Sequence, residues 1–205
     1  MDEQNRLKEF VEKYDSGSIP WDDELPPPEL IALVRELEPG RALDLGCGYG
    51  RGSIFLAGQG WQVDGIDFVP QAIEIAKIRA AKSEHNQNIH FHNASVTDLD
   101  FLQYSYDLIV DIGCMHSMSK SPLVKYSDNL LRLARVGGLY LLFAHLGDES
   151  DGKDEEIRWI RDEELLALFA DGFELLDVEY GETQVEDKPP WKSAWYKFRR
   201  ISSIS

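Results

Sequence analysis

The run Ala42-Leu43-Asp44-Leu45-Gly46-Cys47-Gly48-Tyr49-Gly50-Arg51-Gly52-Ser53 begins as an apolar strand, breaks into three alternating glycines and restarts as a helix. Glycine takes backbone conformations with φ > 0 and lets a ligand lie on the main chain with no Cβ in the way. The N–H groups that open the following helix have no partner within it, so they point at whatever occupies the turn. Taken alone, such a turn is either a binding loop or a plain connector. Its neighbours favour binding. Trp61-Gln62-Val63-Asp64-Gly65-Ile66-Asp67 reads as a second strand one helix further on, ending in an acid where an α/β unit places a carboxylate for ribose hydroxyls.

Two cofactor classes share that logic. A dinucleotide requires the spacing G-x-G-x-x-G, and Arg51 stands at the final glycine position. Asp44, a carboxylate at the loop, is also repelled by a pyrophosphate. S-adenosylmethionine carries an ammonium and a sulfonium, so an acidic glycine cradle suits it better.

Leu43-Asp44-Leu45-Gly46-Cys47-Gly48-Tyr49-Gly50 resembles motif I of class I S-adenosylmethionine-dependent methyltransferases, and Asp67 stands at that family's acid after the second strand. The resemblance runs from about Leu30 to Gly138. It implies a Rossmann-like three-layer α/β sandwich with a mostly parallel seven-stranded sheet and an antiparallel last strand. It also implies an N-terminal helical lid over residues 1–29, ahead of a cofactor-binding domain over 30–205. The implied cofactor is S-adenosyl-L-methionine, with S-adenosyl-L-homocysteine as product. Its site is drawn from Trp21, Asp44, Gly46, Cys47, Gly48, Gly50, Arg51, Asp67, Phe68, Ser95, Val96, Asp111 and Ile112. At Ser95 the family commonly has an acid for the adenine amino group. A serine oxygen accepts the same bond without the charge, and Asp98 is the alternative.

Along the chain, Leu7, Phe10, Val11 and Tyr14 recur at helical spacing, and a proline-rich link with Trp21 in its middle follows. Trp21 is either a peg on the edge of the core or, as the resemblance implies, part of the lid together with Tyr14. The pattern then alternates: a helix from Pro28 to Leu37, a strand from Arg41 to Leu45, a helix from Arg51 to Gln59, a strand from Gln62 to Ile66, a helix from Pro70 to Ala81 and a strand from Ile89 to Ala94. Tyr106 to Ile112 is a fourth strand. Ser127 to Arg135 with Leu123 reads as a helix stopped by Val136-Gly137-Gly138, and Leu139 to His145 as a strand buried on both faces. A helix over Asp162 to Ala170, a strand over Phe173 to Glu179 and a last strand over Ala194 to Arg199 complete the pattern.

Composition narrows the function. The 205 residues carry 37 Asp and Glu against 21 Lys and Arg, a formal net charge of −16. Binding a nucleic-acid backbone requires clustered cations, and only Arg199-Arg200 stand together, so nucleic acid is not the expected partner. No apolar run reaches the roughly 18–20 residues that span a bilayer, and no signal-peptide core follows Met1. A cytoplasmic protein, monomeric or homodimeric, acting on a small molecule is expected. Cys47 and Cys114 read as reduced residues beside glycines.

Methyl transfer from a sulfonium needs alignment and exclusion of water more than a base. His116, after the fourth strand, is the candidate base, or else a histidine bonded locally or touching the cofactor. His145 has the same two readings. Asp111 orients the substrate or His116, or takes backbone donors in the turn. In an open parallel sheet these residues share a rim with Gly46 and Asp67. Cys47, Cys114, His116 and His145 lack ligand spacing, so no metal is expected. Asp111-Ile112-Gly113-Cys114-Met115-His116 replaces the Asn-Pro-Pro-Tyr type of motif of nucleic-acid methyltransferases. It resembles the small-molecule branch related to thiopurine, thiol and tellurite methyltransferases, as do Gly60-Trp61 and the N-terminal Pro-Trp. That resemblance implies a soft nucleophile, a thiol or an oxyanion. A cofactor-binding protein without turnover and a dinucleotide-dependent oxidoreductase are the alternatives.

Overall fold

The computed structural model describes residues 3–16, 19, 22–147, 159–184 and 190–202. Seven strands form a mixed sheet, and the chain divides into two compact units, residues 1–99 and 100–205.

The N-terminal unit contains α1 (Glu3–Ser16), α2 (Pro28–Arg35), β1 (Arg41–Leu45), α3 (Arg51–Gly58), β2 (Gln62–Asp67), α4 (Pro70–Ala80) and β3 (Ile89–Asn93). Its three strands are parallel in the order β3-β2-β1. Two helix starts are legible in covalent terms: α2 and α4 open on Pro28 and Pro70, where a missing N–H costs nothing. Buried Leu30, Leu43, Leu56, Ile66 and Trp61 fill the interior. Burying a side chain of this size contributes about 1.5–3 kcal/mol each.

The C-terminal unit contains β4 (Tyr106–Ile112), α5 (Lys120–Leu133), β5 (Ala134–His145), α6 (Asp162–Phe169), β6 (Phe173–Thr183) and β7 (Trp191–Arg200), with strand order β4-β5-β7-β6. β4 and β5 are parallel, and β7 runs antiparallel to both β5 and β6. The antiparallel last strand expected from the resemblance is β7, inserted between its predecessors.

Two expectations are corrected here. α5 starts at Lys120, seven residues before the expected Ser127, because Pro122 lies in the first turn, where its ring and missing N–H are tolerated. Val136-Gly137-Gly138 is not a helix stop. The helix ends at Leu133, and these residues already belong to β5, where the register against β4 jumps from Tyr106↔Ala134 to Leu108↔Leu139. A bulge of this kind requires backbone freedom. Gly137 has φ 83°, and a Cβ on Gly138 would stand 2.8 Å from the Arg135 carbonyl and 2.9 Å from that of Tyr106. β6 and β7 also run longer than expected, to Thr183 and from Trp191.

Candidate active site

In the N-terminal unit the turn after β1 alternates as expected, with Gly46, Gly48 and Gly50 at φ 68°, 54° and 79°. Hydrogen bonds from backbone N–H groups hold it. The Cys47 N–H donates to the Ile66 carbonyl at 2.8 Å, the Gly50 N–H to the Cys47 carbonyl at 2.9 Å, and the Gly48 N–H to Asp67 Oδ2 at 2.9 Å. The other oxygen of Asp67 accepts the Val69 N–H at 2.9 Å at the head of α4. One carboxylate thus joins the end of β2, the glycine turn and the next helix. Burial pushes its pKa up to about 6, against the two backbone donors that pull it down, and the Asp44 charge adds a smaller upward push.

Asp44 lies beneath the turn. Its Oδ2 accepts the Ser53 hydroxyl at 2.7 Å, and the Ser53 backbone N–H is a second donor. Burial pushes this carboxyl above its ordinary range despite those bonds and the Arg51 charge. A Cβ on Gly52 would stand 3.0 Å from the same oxygen, which explains a fourth glycine in the run. The Arg51 guanidinium turns to the N-terminal link, donating to the Leu25 carbonyl at 3.1 Å and to Asp23 at 3.3 Å.

α1 brings Tyr14 to the turn: its hydroxyl is 3.1 Å from where a Cβ on Gly48 would stand, and its ring lies 5.1 Å from that of Tyr49. Phe68 packs edge-on to Phe10 at 5.6 Å. Arg79 grips Asp22 with two bonds of 2.8 and 2.7 Å and lies over Tyr49 at 4.7 Å. Residues 57 apart carry no local signal, so sequence reasoning missed this pair. Trp21 lies outside the described residues. After β3, the Ser95 hydroxyl is engaged with Thr97 Oγ1 at 2.8 Å and with the Thr97 N–H at 3.3 Å. Val96 is buried and Asp98 exposed.

In the C-terminal unit Asp111 is fully buried. Its Oδ1 accepts the Cys114 N–H at 2.7 Å, and its Oδ2 accepts the Met115 N–H at 3.1 Å and the Tyr126 hydroxyl at 2.6 Å. Tyr126 continues to the Tyr140 hydroxyl at 2.9 Å. Burial, with the Asp111 charge next, pushes both phenols well above their ordinary range. Ile112 beside Asp111 is half-buried. His116 Nδ1 accepts the His145 backbone N–H at 3.3 Å, so the neutral ring carries its proton on Nε2. The two imidazoles stack at 4.6 Å, and burial lowers the His145 pKa. Among the described residues no three His, Cys, Asp or Glu side chains gather as a metal site, and no helix is long and apolar enough to cross a membrane.

A parallel β1-β2-β3 layer, a glycine turn after β1 and a carboxylate closing β2 set bare backbone and an acid side by side at the ends of adjacent strands. Residues 42–138 match the family described as a methyltransferase domain. The 2-heptyl-1-hydroxyquinolin-4(1H)-one methyltransferase of Mycobacteroides abscessus is 30% identical over 124 residues, 60% of this chain and 54% of that protein. The probable S-adenosyl-L-methionine-dependent methyltransferase TehB of Haemophilus influenzae is 26% identical over 142 residues, 68% of this chain and 46% of that protein. The chain spans about half the length of the curated relatives it matches. Among solved structures, Burkholderia thailandensis 1,6-didemethyltoxoflavin-N1-methyltransferase, with bound 1,6-didemethyltoxoflavin and S-adenosylhomocysteine, has a TM-score of 0.75 at 22% identity, covering 96% of this chain and 87% of that one. That likeness shows the fold, which is Rossmann-like.

Proposed function

We propose that the protein is an S-adenosylmethionine-dependent methyltransferase acting on a small molecule. The observation that carries the reading is Asp67, which ends β2 with one oxygen on the Gly48 N–H of the cradle. Each carboxylate oxygen keeps a lone pair beyond the one bond recorded for it, enough to accept from ribose hydroxyls. Bare backbone at Gly46, Gly48 and Gly50 admits the methionine end, and the carboxyl groups of Asp44 and Asp67, when ionised, complement a sulfonium and an ammonium. Cys47, Arg51, Phe68, Ser95, Val96, Asp111, Ile112 and Trp21 complete the proposed cofactor contacts, with Tyr14 and residues 1–29 as a lid. When bound, S-adenosylmethionine supplies a methyl group already activated by its positive sulfur.

The remaining task of the chain is to align the acceptor in line with that methyl group and keep water out. Neither proposed catalytic residue is arranged as a base: His116 Nδ1 already accepts a backbone N–H, and Asp111 accepts three donors. We therefore assign His116 to orienting the acceptor through Nε2–H, and Asp111 to shaping the turn that carries His116. An acceptor that ionises without help, a thiol or an oxyanion, fits this arrangement. The named relatives, a hydroxyquinolinone methyltransferase and a didemethyltoxoflavin methyltransferase, support a small-molecule acceptor. A cytoplasmic monomer or homodimer is part of the same proposal. Incubating the protein with S-adenosylmethionine and a panel of thiols, amines and oxyanions tests the reading through S-adenosylhomocysteine formation. Tight binding of S-adenosylmethionine with no product from any acceptor would leave a silent binding protein, and calorimetric preference for NADH would leave an oxidoreductase.

A further inference from the structure

The C-terminal unit gathers large rings where β5 ends and β7 begins. His145 closes β5 and pairs with Ser193 of β7. Besides the stacked His116, its ring meets Trp159 at 5.0 Å and 88°, Trp191 at 5.1 Å and 59°, and Phe143 at 5.4 Å and 80°. Trp159 and Trp191 touch at 5.7 Å, and Phe143 leans on Trp195 at 4.9 Å. These rings are not the core of the unit. Tyr140, Phe169, Phe173 and Phe198 form that core and are 0–4% exposed, whereas Phe143, Trp159, Trp191 and Trp195 all remain half-buried. Three tryptophans left partly open at one end of a sheet make a wall for a ligand rather than a sealed interior.

Among the described residues the wall holds a polar group without a hydrogen-bond partner. Both ring nitrogens of His145 are buried, and among the described residues neither makes a hydrogen bond. Native proteins rarely leave such groups unmatched. A neutral imidazole offers one N–H and one lone pair, which complement a ring heteroatom and its hydroxyl or thiol. Ligands of open α/β sheets lie outside the carboxyl ends of the strands, and His145 is the carboxyl-terminal residue of β5.

We infer that Phe143, His145, Trp159 and Trp191 form the acceptor wall, and that the acceptor is a flat heteroaromatic ring bearing an ionisable hydroxyl or thiol. This inference rests on the methyltransferase reading and deepens it. Flatness follows from the indole faces, the heteroatom from the unmatched imidazole, and the acidic O–H or S–H from the absence of a placed base at His116 and Asp111. The proton leaves for water before transfer. A lone pair on the resulting oxygen or sulfur anion then forms the bond to the methyl carbon, while the carbon–sulfonium bond breaks with its pair moving to sulfur. The products are a methylated neutral ring and a neutral thioether.

The test uses the full chain saturated with S-adenosylhomocysteine, titrated calorimetrically with 1-hydroxyquinolin-4(1H)-one and 2-mercaptopyridine, with 2-mercaptoethanol as the non-aromatic control. Both flat probes bind, and the control binds at least tenfold more weakly. Trp191→Leu and Trp159→Leu each weaken the flat probes tenfold or more. His145→Phe keeps a ring in place and weakens them fivefold or more, and it carries the test if a tryptophan variant fails to fold. S-adenosylhomocysteine affinity stays unchanged in all three. Flat probes that do not bind, or that bind all folded variants equally, overturn the inference. Loss of S-adenosylhomocysteine binding by the unmodified protein would instead overturn the reading on which it rests.

Discussion

The carboxylate of Asp67 accepts the Gly48 N–H at 2.9 Å, so the acid that ends β2 fixes the middle of the turn that ends β1. The ionisation of one buried group is thereby tied to the shape of the cradle.

That link predicts a pH dependence. The Asp67 carboxyl, normally near 3.8, is pushed up to about 6 in the folded chain, so the folded state holds its proton more firmly than the unfolded state. Its contribution lowers stability as pH rises from about 4 to about 6, by on the order of 2–3 kcal/mol, and is level above that. S-adenosylhomocysteine affinity moves the other way, rising through pH 6 as the carboxylate ionises and becomes the stronger acceptor for ribose. Asp67→Asn flattens this profile, and Asp67→Ala weakens binding by about 1–3 kcal/mol. Calorimetric titrations between pH 5 and 8 check both, and a level profile in the unmodified protein would remove Asp67 from the site.

Two glycines with the same backbone twist respond differently to alanine. Gly50 and Gly137 have φ 79° and 83°, a conformation costing a side chain about 1–2 kcal/mol. At Gly50 the new Cβ also stands 2.8 Å from Phe91 Cζ and 3.1 Å from Ala76 Cβ, whereas at Gly137 nothing lies within 4 Å. Crowding adds roughly 1–3 kcal/mol, so Gly50→Ala destabilises more than Gly137→Ala in urea titrations. Equal midpoints would show that the Phe91 ring moves aside freely.

Tyr126→Phe removes a donor from buried Asp111 and a partner from Tyr140, at about 1–3 kcal/mol. Because the three groups form one network, Tyr140→Phe costs less in that background than in the unmodified chain. A double-mutant cycle in urea measures this, and strict additivity would mean that the hydroxyls act independently.

Arg79→Gln tests the N-terminal segment as a lid. The paired bonds to Asp22 are partly exposed, so the loss in overall stability is about 1 kcal/mol or less. S-adenosylhomocysteine affinity falls several-fold and proteolysis of the N-terminal segment speeds up. Unaltered affinity would separate this segment from the cofactor.

What the sequence discloses follows from locality. The glycine alternation, the acid that ends β2 and the proline starts of α2 and α4 are short-range patterns, and the chain adopts them within a residue or two. Gly137-Gly138 misleads, because a glycine pair looks alike at a helix end and in a bulge, and only the carbonyls of Tyr106 and Arg135 decide between them. Asp111 shows the same limit. Its type and place are readable, but the three donors that occupy it come partly from Tyr126, fifteen residues on. The ring wall around His145 draws on four separated stretches, and no window of sequence contains it.

The placement of β7 governs the order in which the C-terminal unit is built. Among the described residues β6 does not pair with β5, and its ladder is with β7, a strand translated after it. While a ribosome is still making residues 184–190, β6 has no neighbour to receive its amide and carbonyl groups. The nascent chain at that stage exposes the edges of both β5 and β6, and the late arrival of one ten-residue strand closes them together.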